Sequence, residues 1–287
     1  AAPSFLAALL AIAVIAPAAR AQSGNRPSSK ELLQLNQDLQ DPARAFEAVK
    51  QARAYLRNNP DSSFRVFLHR GIISGLIVGN APGRMVVSAA DSALKTFAKD
   101  PLQRVVINGE VAQYLVNHGD LPVRALQMAR ASVNGIPPDE RYDQYRGFAL
   151  GTFGEAYLLN NRPDSAIIVL NRALQVAPDT QRVLRQLGGA YEKMKKDDLA
   201  ISAYTRSLGV YLAGDTSAAA PLRALWIKKH GSLKGLDESL GAAAKASRQA
   251  VALDARSYER EAPAWTLPDL DGKSYRLADH KGKVVVL

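Results

Sequence analysis

The chain has 287 residues, of which 47% are hydrophobic and 22% charged, with 37 Lys and Arg against 27 Asp and Glu. These proportions are typical of a soluble globular protein and exclude a wholly disordered, collagen-like or multi-span membrane chain. The length suits about two domains. A net charge of +10 would suit nucleic acid or an anionic surface, but the basic residues are spread along the whole chain, which favours a solvated basic surface.

The sequence has no cysteine and four widely separated histidines, His69, His118, His230 and His280. Disulfides, zinc–thiolate sites and thiol chemistry are therefore excluded within these residues. The histidines show neither HxxxH nor HExxH spacing, and no G-x-S-x-G element, P-loop or Rossmann fingerprint is present. We predict no metal site and no cofactor.

The chain begins with an apolar run, Phe5–Ala16, followed by an A-x-A triplet that ends at Ala21. This resembles a secretory signal peptide (residues 1–21) that is cleaved before Gln22. The run is short for a transmembrane helix, which needs about 20 apolar residues. The basic segment that normally precedes such a run is missing, so we expect further residues before it. The prediction is an exported protein, periplasmic or extracellular, with no stable membrane span after cleavage; a retained anchor is the alternative.

A polar linker over residues 22–29 leads into a long helical region. Pro42 suits the first turn of a helix with apolar residues at three-to-four spacing. Further helices are predicted over Phe64–Val78 and Arg84–Lys99. We expect residues 30–140 to form degenerate helical hairpins.

A period of 34 residues is the most informative feature of the sequence. The segment Leu150-x-x-Phe153-Gly154-x-x-Tyr157 recurs as Leu184-x-x-Leu187-Gly188-x-x-Tyr191, and Ala166 recurs as Ala200. This pattern resembles the tetratricopeptide repeat, W-x-x-L-G-x-x-Y followed by A-x-x-x-F and a closing Pro. Pro178 closes the first unit, and the second lacks its proline. Ala125, Ala129 and Pro137 align as a degenerate third unit.

The resemblance implies a stack of helix hairpins over residues 141–214, with terminal helices over residues 215–260. Small residues would lie where the two helices of one hairpin cross. Tyr157 and Leu170 would fill the space between adjacent hairpins. The repeat-packing residues implied are Gly154, Tyr157, Ala166, Gly188, Tyr191 and Ala200.

In this family the first helix of each hairpin lines a concave groove that binds a protein or peptide. The matching positions are Phe148, Gly151, Glu155, Leu158 and Leu159 in one unit and Arg182, Arg185, Gly189, Glu192 and Lys193 in the next. Of these, the groove candidates are Glu155, Arg182, Arg185, Glu192 and Lys193. Arg182 and Arg185 lie three residues apart on one helix face and would suit an acidic ligand; a solvated helix face is the alternative.

The sequence changes character at residues 261–287. Asp271-Gly272 favours a hairpin turn, with Leu270 before it and Tyr275 and Leu277 after it in short strands. Val284–Val286 suit a buried strand. From Ala262 the series A-P-x-W-x-L-x-D-x-x-G-K, followed by K-G-K, resembles the opening of the redoxin and TlpA-like branch of the thioredoxin superfamily. Trp265 stands where that family usually has Phe.

The expected fold class is mainly α: a tetratricopeptide-type solenoid followed by the first strands of a truncated α/β thioredoxin-like domain. The resemblance implies that the redox cysteines follow Leu287, so no catalytic residue is assigned within this chain and the chain alone should be inactive. The parent protein would be an exported thiol–disulfide oxidoreductase or redoxin with a partner-binding repeat domain. The alternative is a non-enzymatic periplasmic adaptor. A scaffold for nucleic acid is not expected of an exported protein.

Overall fold

A computed structural model describes residues 29–59, 63–178, 180–210, 214–257, 266–268, 273–276 and 279. This part of the chain is mainly helical, as the fold class predicts. The chain divides into two compact units, Ala1–Ala89 and Ala90–Leu287. The predicted signal peptide and most of the linker lie outside the described residues.

The first unit contains α1 (Ser29–Leu39), α2 (Ala45–Asn58), α3 (Arg65–Val78) and the beginning of α4 (Gly83–Thr96). The helices predicted over Phe64–Val78 and Arg84–Lys99 correspond to α3 and α4. Pro42 lies in the turn before α2, not in its first turn. The carbonyl and carboxylate of Asp41 accept hydrogen bonds from the residues that follow and hold them in this turn.

The second unit continues with the following elements. They are α5 (Pro101–His118), α6 (Pro122–Gly135), a 3-10 turn (Glu140–Tyr142), α7 (Asp143–Leu159), α8 (Pro163–Val176), α9 (Gln181–Lys193), α10 (Asp197–Gly209), α11 (Ala219–His230), α12 (Leu236–Ser257), β1 (Thr266–Pro268) and β2 (Ser274–Arg276). α5 packs on α6, α7 on α8 and α9 on α10, and each hairpin also contacts the next. Helices α5 to α10 therefore form a stack of hairpins.

One turn geometry joins the two helices of each hairpin. Gly119, Asn161 and Lys195 have φ of 65°, 54° and 57°. In each turn the following N–H donates to the carbonyl five residues earlier, as from Lys196 to Tyr191 at 2.9 Å. This is the Schellman arrangement, which satisfies carbonyls at a helix end. The α5–α6 turn thus has the same form as those of the two clear repeats.

Glycine allows the two helices of a repeat to cross closely. A Cβ on Gly154 would lie 2.5 Å from Leu170, and one on Gly188 would lie 2.5 Å from Tyr204. Ala166 and Ala200, on the second helices, are fully buried. Leu170 therefore contacts its own hairpin, where the repeat pattern had placed it between hairpins.

Helices α11 and α12 cover the last repeat. Leu222, Leu225 and Leu236 pack with Tyr204 and other residues of α10 in one buried cluster. A Cβ on Gly209 would lie 2.7 Å from that of Ala243 in α12, so α10 and α12 are in close contact. A stack of hairpins needs such a terminal cap because its last apolar face would otherwise meet water.

Strands β1 and β2 pair antiparallel, with Leu267 opposite Tyr275. An antiparallel pair is therefore present in this segment, with its first strand before Leu270 and with Tyr275 in its second strand. Leu270, Asp271-Gly272, Leu277 and the strand predicted at Val284–Val286 lie outside the described residues. A two-stranded pair does not show a thioredoxin-like domain, which remains a prediction.

Substitutions at two adjacent glycines of α9, Gly188 and Gly189, test how closely α9 and α10 cross. Alanine in place of a helical glycine gains about 0.5–1 kcal/mol of helix propensity. In Gly188→Ala this gain is outweighed by overlap with the Tyr204 ring, and we expect a net loss of about 1–3 kcal/mol. In Gly189→Ala the new Cβ lies 3.5 Å from the Tyr204 hydroxyl, an ordinary contact, so stability should rise. Urea denaturation of the two variants measures the difference; equal stabilities would show that α9 and α10 do not cross this closely.

Candidate functional site

The first helices of the two clear repeats, α7 and α9, lie side by side and carry the positions predicted to line a groove. We call this surface the groove face. Its residues are Phe148, Gly151, Glu155, Leu158 and Leu159 on α7 and Arg182, Arg185, Gly189, Glu192 and Lys193 on α9. Phe148 is 42% exposed, a large value for an aromatic side chain.

Arg182 joins α9 to α7. Its guanidinium forms an ion pair with Glu155 and lies over the ring of Phe148, with Cζ 5.3 Å from the ring centroid. About a quarter of the Arg182 side chain and a fifth of the Glu155 side chain remain exposed. Arg182 is therefore already neutralised within the chain, and its charge is not simply open to an acidic ligand.

Arg185 is paired in a similar way. Its Nε donates to a carboxylate oxygen of Asp215, in the segment before α11, at 3.2 Å. The main chain of Asp215 is held by the side-chain amide of Gln181: Nε2 donates to its carbonyl at 2.6 Å, and its N–H donates to Oε1 at 3.1 Å. Hydrogen bonds from Ser217, with a contribution from Arg185, hold the pKa of Asp215 below its ordinary value.

Glu192 and Lys193 lie exposed at the end of α9. The Tyr204 hydroxyl donates to Glu192 at 2.9 Å, and burial of the phenol together with this bond raises the pKa of Tyr204. Lys193 makes no ion pair with any residue that the structure describes. The structure thus brings Glu155 and Arg182 together and leaves Lys193 apart from them.

The sequence reasoning missed Gln186. This residue lies on the same face of α9 as Arg182 and Gly189, but only 4% of its surface is exposed. Neither its Oε1 nor its Nε2 has a hydrogen-bond partner among the described residues. Its Oε1 lies against α7, 3.8 Å from where a Cβ on Gly151 would be.

In the preceding repeat, the residue at the corresponding position is buried but has a hydrogen-bond partner. Thr152 lies 34 residues before Gln186 and is likewise buried. Its hydroxyl donates to Oε1 of Gln113 on α5 at 2.7 Å. The recurrence of a polar residue at one repeat position was visible in the sequence and could have identified Gln186.

An unpaired buried polar group costs about 1–3 kcal/mol of stability. A primary amide carries both donors and an acceptor, the complement of a peptide main-chain amide. Gln181 shows this pairing within the chain, since it binds both main-chain groups of Asp215. The Gln186 amide therefore has the chemistry to bind the main chain of an extended segment.

Within the residues that the structure describes, no three His, Asp or Glu side chains are grouped to hold a metal ion. None of the described helices is both long and apolar enough to span a membrane.

Comparison with known proteins found no matching family model and no matching curated protein. Among solved structures, the chain is similar to PilF of Pseudomonas aeruginosa at 16% identity and a TM-score of 0.46, covering 72% of this chain and 95% of that one. It is similar to TTC0263, a tetratricopeptide-repeat protein of Thermus thermophilus, at 16% identity and a TM-score of 0.44, covering 70% and 100%. It is also similar to BtubC (BKLC) of P. vanneervenii at 16% identity and a TM-score of 0.49, covering 82% and 97%.

The fold itself is a helical repeat of the tetratricopeptide type. The sequence period, the shared hairpin turns and the glycine crossings recur together in α7–α8 and α9–α10. Stacked hairpins of this type present extended binding surfaces, so the fold suggests a protein-interaction domain.

Proposed function

We propose that this protein binds a partner protein through the groove face and that the partner contributes an extended peptide segment. The observation that carries this proposal is the buried Gln186 amide, whose oxygen and nitrogen have no partner among the described residues. Neither atom is exposed in the free chain, so we propose that the Gln186 side chain turns out of its buried position to meet a main-chain N–H and C=O of an extended segment, which would satisfy both.

The other residues of the groove face support the same kind of ligand. Phe148 provides exposed apolar surface on α7, and Gly189 has no side chain to block the approach of a backbone. The pairing of Arg182 with Glu155 and of Arg185 with Asp215 removes charge from the surface. The two arginines are therefore less available to an acidic partner, whereas Lys193 stays exposed, so we expect the main chain and apolar side chains of the partner to contribute alongside its charge.

Replacing Gln186 with an apolar residue should change the stability of the protein and its affinity for peptides in opposite directions. In Gln186→Met a side chain of similar length fills the site without polar atoms, so the free energy of unfolding should rise by about 1 kcal/mol. Binding should weaken at least tenfold for peptides that wild type selects from a displayed library of unstructured peptides. Urea denaturation and calorimetric titration measure the two effects.

Gln181→Met is the matched control because it removes an amide of the same length whose two hydrogen bonds are made. It should lower stability by about 1 kcal/mol. A destabilised Gln186→Met would show that the amide is satisfied inside the fold. Unchanged peptide affinity in that variant would overturn the groove assignment.

A second function is favoured by the antiparallel pairing of β1 and β2 within the segment that resembles the start of a redoxin domain. We propose that the repeats serve a thiol–disulfide oxidoreductase or redoxin whose redox domain begins at residue 261. There a cysteine thiolate would attack a disulfide, forming a mixed disulfide and releasing a thiolate, or would attack a peroxide, forming a sulfenic acid as the O–O bond breaks and the leaving oxygen takes up a proton to depart as water or an alcohol. The adaptor without redox activity is the competing hypothesis.

The gene sequence after codon 287 tests this proposal. We expect a W-C-x-x-C motif or a single cysteine within about ten residues, since active thiols of open α/β sheets follow the end of a strand. The protein that includes it should reduce insulin or a peroxide with dithiol as reductant, and the chain ending at Leu287 should not. A frame without cysteine, or turnover by the present chain, would refute the redox assignment.

We also propose that the protein is exported, on the strength of the apolar run Phe5–Ala16 and the A-x-A triplet ending at Ala21. Expressed with its complete N-terminus in a bacterium, the mature protein should begin at Gln22, as measured by intact mass. Ala21→Leu should block this cleavage because the processing site needs small residues. An uncleaved wild-type protein in the membrane fraction would favour a retained anchor.

A further inference from the structure

Two arginines from successive hairpins contact one tyrosine. Arg130, on α6, donates through Nη2 to the hydroxyl of Tyr157 on α7 at 3.4 Å, and its Cζ lies 5.9 Å from the ring centroid of Phe153. Arg162, between α7 and α8, has its Cζ 5.1 Å from the ring centroid of Tyr157. Cation–π contacts of this kind orient guanidinium groups that would otherwise move freely in solvent.

The charges of these arginines are not balanced within the described part of the chain. Seven described arginines form ion pairs with carboxylates, namely Arg44, Arg124, Arg141, Arg146, Arg182, Arg185 and Arg276, whereas others, such as the exposed Arg172, form none with a described residue. Arg130 and Arg162 make no such pair with any described residue. Two exposed cations held at one tyrosine favour a bound anion that would reduce their repulsion.

Tyr157 adds a third donor. Its hydroxyl accepts from Arg130, so the hydroxyl hydrogen is left to donate elsewhere. Tyr157 is only 9% exposed, so packing holds its ring and hydroxyl in place.

We infer that Arg130, Tyr157 and Arg162 form a binding site for a phosphate group. Arg162 lies over the face of the tyrosine ring, whereas Arg130 reaches its hydroxyl at the edge, so the two guanidinium groups approach from different directions. That arrangement suits the tetrahedral oxygens of phosphate better than the single plane of a carboxylate. The charge of phosphate at neutral pH, near −2, also matches two arginines.

The two arginines of this site lie outside the groove face, and only Tyr157 belongs to one of its helices, α7. Arg130 belongs to α6, the second helix of a hairpin, and Arg162 to a turn between helices. The groove candidates all lie on the first helices α7 and α9. A phosphate bound at these arginines would therefore be compatible with a peptide bound along the groove face.

Titration of the full chain with inorganic phosphate tests the site. We expect the side-chain Nε–H signals of Arg130 and Arg162 to shift with phosphate in ¹⁵N NMR spectra. The dissociation constant should rise at least tenfold in the double variant Arg130→Gln, Arg162→Gln. Arg172→Gln, which removes an exposed arginine elsewhere on α8, is the matched control and should bind as wild type does.

Tyr157→Phe gives a second test if the double variant folds poorly. It keeps the aromatic ring under Arg162 and removes only the hydroxyl, so phosphate affinity should fall several-fold while the fold is retained. Phenyl phosphate in place of inorganic phosphate distinguishes a free ion from a phosphorylated molecule, which should bind more tightly. The inference fails if acetate binds as well as phosphate, or if the variants and Arg172→Gln respond alike.

Discussion

The close crossing of the two helices within each repeat is the contact on which the rest of this fold depends. At Gly154 and Gly188 the first helix has no side chain, and Leu170 or Tyr204 from the second helix occupies that space. The crossing fixes the spacing of the two helices, and the shared turn fixes where the second helix begins. Because both features recur after 34 residues, successive hairpins stack in the same orientation.

Stacking places the first helices side by side, and this determines the chemistry of the groove face. Polar groups on one such helix reach partners on the next: Gln113 with Thr152, Glu155 with Arg182, and Arg185 with Asp215 beyond α9. Each contact stabilises the stack and at the same time withdraws charge from the surface. The groove face keeps the exposed charges of Glu192 and Lys193 at the end of α9, together with the exposed ring of Phe148 on α7.

The sequence predicts the repeats well because their pattern reports local geometry. Gly154, Ala166 and their counterparts are small because two helices cross there. The 34-residue period can therefore be recognised in the sequence without knowing how the hairpins stack. The conformations of the hairpin turns are harder to predict from the sequence. Gly119 is a recognisable left-handed residue, whereas Lys195 adopts the same conformation only because the turn around it demands it.

The pairing of groove residues was not predictable in the same way. Arg182 and Glu155 are 27 positions apart, and their ion pair depends on how two hairpins are rotated against each other. Charge pattern along one helix, which suggested an acidic ligand for Arg182 and Arg185, contains no such information. Gln186 was overlooked for a related reason: a glutamine in a helix is usually exposed, and only packing shows that this one is buried.

The Gln186 amide, like the Thr205 hydroxyl on α10, is buried without a hydrogen-bond partner among the described residues. Thr152, at the same repeat position, has a partner because α5 supplies Gln113. The next helix, α9, places Gln186 against the backbone of α7 at Gly151, where no side chain is present to donate or accept. An apolar residue at this position would be more stable in the free protein, as the cost of an unpaired buried amide implies.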